Sequence, residues 1–337
     1  MDDSGNKESL TRPDLNIDAL LRPTNWDDYV GQEKIKRNLK IILEAAKKRG
    51  EVCDHLLFFG QAGLGKTTLA HLVAKELGTG IKITSGPALE KMADLAAVLT
   101  NIDDGEILFI DEAHRMNRMI EEVLYPAMES RKLHLVVGKG PAARTISLDL
   151  PPFTLVAATT RVNLLSGPLR SRFGASFQLD YYETENIKEI LKRSARVLGI
   201  SISDEAVDIL ARAARATPRV ANRLLKRARD YAEVHERPKI DKEVVQKTLG
   251  LLEIDNLGLE SQDRRLLKII IQRFKGGPVG LGTMAAAMND DKGNIESVYE
   301  PYLLNIGLLA RTPSGRVVTE EAYRHLGIDI PGGGLIQ

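Results

Sequence analysis

Apolar positions along the first half of the chain follow two alternating rhythms. Ile35, Leu39, Ile42 and Ala46 recur at the spacing of one helix face, predicting a helix over 32–48 that stops near Gly50. Short unbroken apolar runs then predict strands over 55–59, 81–84, 106–110 and 153–159, separated by helical stretches over 66–77, 88–99 and 119–128. Strands that are apolar throughout and alternate with helices predict a parallel sheet covered on both faces. Before the last of these strands, residues 133–137 and 144–150 flank Gly138-Lys139-Gly140-Pro141 and predict a protruding β-hairpin.

Beyond Tyr182 the strand signal ends and amphipathic helices are predicted over 185–198, 204–216 and 219–234. A third unit starts near Asn256, with helices over 262–274, 283–288 and 295–304. A strand–turn–strand follows, from Leu308 through Pro313-Ser314-Gly315 to Thr319. Three helices and a hairpin make a winged helix. The expected domains are therefore 1–182, 183–254 and 255–337. The first fifteen residues read as a frayed arm and Pro331-Gly332-Gly333-Gly334 as a flexible tail.

Composition narrows the setting. The polar, acidic start lacks the features of a secretory signal, and no apolar run approaches the roughly 20 residues needed to span a bilayer. Cys53 is the single cysteine, which excludes an intrachain disulfide, and a cytoplasmic location is expected. With a net charge of +1, any nucleic-acid footprint per subunit must be small and local.

Gly60-Gln61-Ala62-Gly63-Leu64-Gly65-Lys66-Thr67 is a complete phosphate-binding loop, placed after an apolar strand and before a helix as its chemistry requires. Glycines let backbone N–H groups close around phosphates at the positive end of the helix. Lys66 reaches the outer phosphates of ATP, and the Thr67 hydroxyl ligates Mg2+. The strand ending at Ile110 delivers Asp111 and Glu112 to the same edge of the sheet, Asp111 for magnesium and Glu112 to polarise the attacking water. Asp111-Glu112-Ala113-His114 also spells the signature of the DEAH-box helicases. The chain has room for only one such core, where those enzymes carry two.

The order of motifs resembles the AAA+ plan: phosphate loop, acidic strand, Ala157-Ala158-Thr159-Thr160-Arg161, Leu169-Arg170-Ser171-Arg172-Phe173-Gly174, and Thr217-Pro218-Arg219. The resemblance implies an α/β P-loop NTPase core with a parallel sheet, then a small helical lid domain and a C-terminal winged-helix domain. It implies Thr160 as the first sensor and Arg219 as the second. Arg172 becomes the arginine finger acting on a neighbouring subunit, with Arg170 the alternative.

Within AAA+ the likeness narrows to the RuvB family over about 21–326. It is carried by Ala62 to Ala70, Thr84-Ser85-Gly86-Pro87, Glu121 to Glu129, Gly140 to Arg144 and Asp149 to Leu155. That family drives branch migration of Holliday junctions in DNA recombination and repair. The likeness implies a ring, a hexamer by analogy, working with RuvA and with RuvC at the same junction. RuvA docks on the hairpin at 133–150. ATP is then held by Leu21, Arg22, Gly63, Gly65, Lys66, Thr67, Thr68, Arg172, Tyr182 and Arg219, and by Glu129, Ser130 and Arg131 at a subunit interface. Ser130 and Arg131 depart from the acidic-then-aromatic pair usual there. Leu21 and Tyr182 also fit ordinary core positions.

At the DNA end, the recognition-helix stretch over 295–304 carries Glu296 and Glu300 and no lysine or arginine, which argues against base readout. Arg311 and Arg316 flank the wing turn, where two cations can hold phosphates without reading sequence. A clamp loader would end in a helical collar instead. An ATP-switched transcription regulator would carry a basic recognition helix.

Overall fold

The computed structural model describes residues 17–137 and 144–330. The expected arm at 1–15, the hairpin turn at 138–141 and the tail from Pro331 lie outside the described residues. The chain forms two compact units, one reaching to Asp180 with residues 196–199, the other comprising 181–195 and the chain from Ile200 onward.

In the first unit, the central sheet contains β1 (Leu56–Phe59), β2 (Ile81–Ser85) and β3 (Ile107–Asp111). The hairpin strands are β4 (Lys132–Val137) and β5 (Arg144–Asp149), after which β6 (Thr154–Thr159) and β7 (Ala175–Gln178) return to the sheet. All five sheet strands are parallel, in the order β2-β3-β6-β1-β7. Every residue of β6 is buried, as expected for a strand with neighbours on both sides and helices on both faces. The reading from sequence missed β7. As an edge strand it buries only Phe177, so its four residues carry no apolar run.

Local chemistry starts the helices where they are needed. The Asn117 side chain accepts the Ile120 N–H at 2.9 Å to begin helix Arg118–Ser130. Helix Glu33–Arg49 ends at Gly50, whose φ of 66° is the left-handed cap that glycine supplies. Hairpin residues pair antiparallel from Lys132–Asp149 to Val137–Arg144, anchored by buried Leu133.

In the second unit, helix Thr184–Val197 up to Ala195 and helices Asp204–Ala213, Pro218–Val234 and Lys242–Leu251 precede a winged helix. Helix Lys242–Leu251 was absent from the sequence reading. Its signal is there: Asp241 caps it, and Val244, Val245, Thr248 and Leu249 form its buried face. The winged helix has helices Ser261–Phe274 and Leu281–Met288, then β8 (Leu309–Thr312) paired antiparallel with β9 (Gly315–Val318), and a closing helix Glu320–Leu326.

The stretch expected as one recognition helix over 295–304 is interrupted. Ile295–Tyr299 is wound as a π-helix and Glu300–Asn305 as an α-helix. Pro301 explains the break, because it has no N–H to close an α-turn onto Ser297, and the chain widens there.

Candidate functional site

The phosphate loop leaves β1 and enters helix Lys66–Leu77 through glycines at positive φ, 139° at Gly60, 83° at Gly63 and 100° at Gly65. At position 65 the φ of 100° strains any side chain, and a Cβ there would stand 2.9 Å from the Tyr29 hydroxyl oxygen. The N-cap position Gly65 makes no side-chain cap hydrogen bond, and the positive end of a helix dipole attracts an anion. Lys66 is 7% exposed and its Nζ donates to the carbonyls of Gly60 and Gln61 at 2.8 Å each. These features fit the phosphates of a nucleotide. Thr67 and Thr68 follow in the first turn, both half-buried.

Because β6 lies between β1 and β3, its carboxyl end falls between the phosphate loop and the acidic pair. Asp111 closes β3 and its carboxylate accepts the Glu112 N–H at 2.8 Å. Glu112 sits at φ 48°, a left-handed conformation that costs a side chain energy and must be held by its surroundings. Gly86 helps to hold it: a Cβ at that position would collide with the Glu112 carbonyl. The Glu112 carboxylate pairs with Arg115 at 3.0 Å. Among the described residues no cluster of three or more His, Cys, Asp or Glu could hold a metal alone. Thr67 and Asp111 suit a magnesium ion that keeps water and substrate phosphate as its other ligands.

Thr160 lies at the end of β6, half-buried. Its neighbour Thr159 was not singled out from sequence, yet it joins three motifs. Its carbonyl accepts the Gly60 N–H at 3.2 Å, and its hydroxyl accepts the Arg161 N–H at 3.0 Å and lies 3.0 Å from His114 Nδ1. Thr159 is 1% exposed, so its hydroxyl depends on protein partners rather than on water. The signal in the sequence is the histidine two residues after Glu112, within the Asp111-Glu112-Ala113-His114 run.

Arg172 is elsewhere. Its guanidinium stacks 4.5 Å from the Tyr125 ring centroid, pairs with Glu129 at 2.9 Å and donates to the Pro168 carbonyl at 2.7 Å. Arg170 is exposed. Glu129, Ser130 and Arg131 end helix Arg118–Ser130, with the Ser130 hydroxyl donating to Pro126 and Arg131 left-handed at φ 55°. A cavity of about 360 Å³ opens here, lined by Cys53, Asp54, His55, Glu129, Arg131 and Arg172 among others. Residues 53–55 precede β1, and the His55 carbonyl accepts the Gly174 N–H at 2.9 Å. This cluster therefore lies at the amino edge of the sheet, and the phosphate loop at the carboxyl edge.

Leu21 is 2% exposed and Arg22 half-buried, both in the first unit. Tyr182, 6% exposed, and Arg219, exposed at the second position of helix Pro218–Val234, belong to the other.

One reading of the wing is corrected. Glu300 does not face outward from an acidic recognition helix: it is fully buried and binds Arg311 and Arg316, each at 2.5 Å. A buried carboxylate demands such partners. The Arg316 side chain is only 14% exposed, whereas Arg311 is 51% exposed and can still meet a ligand.

A phosphate loop, an acidic strand end and a threonine strand side by side on a parallel sheet, followed in the chain by a set of helices, make this an AAA+ P-loop ATPase. Family profiles carry the assignment further. Residues 21–179 match the Holliday junction DNA helicase RuvB P-loop domain, 182–255 the RuvB AAA lid domain and 256–327 the RuvB C-terminal winged helix domain. The chain belongs to the RuvB family. Among solved structures it is similar to the Thermotoga maritima RuvB Holliday junction branch migration motor, with 49% identity, 93% of this chain and 100% of that one covered, and a TM-score of 0.85. A threonine-to-valine variant of that protein matches with the same identity, coverage and TM-score. An arginine-to-alanine variant matches at 49% identity over 92% of this chain and 99% of that one, with a TM-score of 0.83.

Proposed function

We propose that this chain couples magnesium-dependent ATP hydrolysis to branch migration of Holliday junctions, as a homo-oligomeric ring, six subunits by analogy, with RuvA and alongside RuvC in the cytoplasm. The observation that carries the ring is the separation of its catalytic groups. Lys66 and Glu112 stand at the carboxyl edge of the sheet and Arg172 at the amino edge. β1 alone spans four residues, about 13 Å at 3.3 Å per residue. An arginine on the far edge serves a neighbour's nucleotide.

Each residue then has a task. Lys66 and the backbone around Gly63, Gly65 and Thr68 hold phosphates, while Thr67 and Asp111 hold magnesium, which neutralises the charge developing on the phosphates. Glu112 polarises the attacking water once it exchanges Arg115 for that partner, and Thr160 reads the outer phosphate. Arg172 acts across the interface beside Glu129, Ser130 and Arg131, and a finger of this kind contributes roughly 10³–10⁵-fold in rate. Leu21, Arg22 and Tyr182 frame the adenine end, and Arg219 reaches the nucleotide from the helical domain.

The wing grips duplex phosphates through Arg311, with Arg316 supporting it through their shared Glu300. RuvA docks on the β4–β5 hairpin, where Ile146 is an apolar side chain 45% exposed. Steady-state ATP hydrolysis measured with and without a four-way junction tests the reading. It is lost in Lys66→Ala and Glu112→Gln; unchanged hydrolysis in both would overturn it.

A further inference from the structure

The loop between helices Asp204–Ala213 and Pro218–Val234 holds Arg215 and Ala216 at φ 51° and 52°. Two successive non-glycine residues in the left-handed region persist only where their surroundings fix them. What fixes Arg215 comes from the winged helix. Its Nη1 lies 2.7 Å from Asp263 Oδ2, with the side chains 14% and 1% exposed. Its guanidinium lies 4.6 Å over the Tyr302 ring, and the Tyr302 hydroxyl in turn donates to the Leu257 carbonyl at 2.6 Å. Asp263 Oδ2 also accepts the Glu260 N–H at 2.9 Å, closing the start of helix Ser261–Phe274.

On the other side of the same loop, Ala216 accepts the Tyr182 N–H at 3.0 Å, and Thr217, 6% exposed, opens the helix that carries Arg219. One turn of backbone thus separates an arginine anchored in the winged helix from the arginine assigned to the nucleotide. Domains within a chain ordinarily move against each other unless something binds them. A stacked and charge-paired arginine is such a tie, because separating the domains would break its pair with Asp263 and its stacking on Tyr302 together. The Arg223–Glu260 pair at 2.9 Å is about half exposed and adds little.

We propose that Arg215 is a positioning residue of the motor stroke: through Asp263 and Tyr302 it locks the winged helix to the helix bearing Arg219, so both move as one body. The lock delivers nucleotide-dependent motion to DNA, and in that part it rests on Arg219 contacting nucleotide.

The test uses the full chain with Cys53→Ala and spin labels at Lys247→Cys and Glu296→Cys, both exposed, one in each domain. Distances are measured without nucleotide, with ADP and with a slowly hydrolysed ATP analogue. One narrow distance, the same in all three states, is expected. In Arg215→Ala/Asp263→Ala, which removes both charges together with the stacking on Tyr302 and leaves neither charge buried alone, the distribution widens about twofold or more. Without the labels, that variant keeps its DNA-free ATPase but consumes several-fold more ATP per junction dissociated, and Arg215→Lys falls between. A narrow distance in the folded double variant, unchanged ATP per junction, or a parent distance that shifts with nucleotide overturns the proposal. The Arg219 reading has its own test: unchanged hydrolysis in Arg219→Ala removes that reading, while the distances still decide the lock.

Discussion

The Thr159 hydroxyl lies 3.0 Å from His114 Nδ1 and accepts the Arg161 N–H at the same distance, tying the acidic loop to the end of β6. Thr159 and Thr160 are adjacent but face different surroundings, one 1% exposed and the other half-buried. Thr159→Val should strand buried polar groups and lower the unfolding free energy by about 1–3 kcal/mol, read from urea denaturation. Thr160→Val should leave stability nearly intact while slowing hydrolysis. Equal stability losses in the two variants would remove the distinction.

Arg172 rests on Tyr125 and Glu129, away from its own phosphate loop. Lys66→Ala and Arg172→Ala subunits, each inactive alone, should therefore regain ATPase activity when mixed, because some interfaces then combine an intact loop with an intact arginine. A mixture as dead as its components contradicts action between subunits. Arg170→Ala should retain far more activity than Arg172→Ala.

Sharing Glu300 leaves the two wing arginines with one net positive charge. Log affinity for duplex DNA should then fall by about 0.9 per decade of salt for each engaged subunit, against about 1.8 for two independent cations. Arg311→Ala should flatten the dependence and Glu300→Gln steepen it. A slope near the higher value in the parent protein would show both arginines on phosphates.

His55, His71 and His114 are each held below the ordinary histidine range, in all three chiefly by burial. At His55 the geometry agrees, since Nδ1 accepts the Leu155 N–H at 2.8 Å and must be unprotonated to do so. Folding favours the neutral rings, so their contribution is complete above about pH 6.5 and is lost as pH falls through the lower folded values. Urea midpoints should drop between pH 7.5 and 5.5. A flat or rising midpoint would contradict the assignment.

What sequence revealed follows from how local each signal is. The phosphate loop and the apolar runs of β1, β3 and β6 are contiguous, and they were legible. β7 was not, because an edge strand burying only Phe177 has no run to display. Glu300 was misplaced for a tertiary reason: Arg311 and Arg316 lie 11 and 16 residues away, and only the folded hairpin turns them onto it. Thr159 and Thr160 are indistinguishable in sequence, since strand alternation shows which is buried only once its neighbours are known.

Branch migration by this chain can be measured as dissociation of a synthetic mobile four-way DNA junction, with and without RuvA. Dissociation should require ATP, increase with RuvA and disappear in Glu112→Gln. Vigorous ATP hydrolysis with the junction intact in the presence of RuvA would contradict it.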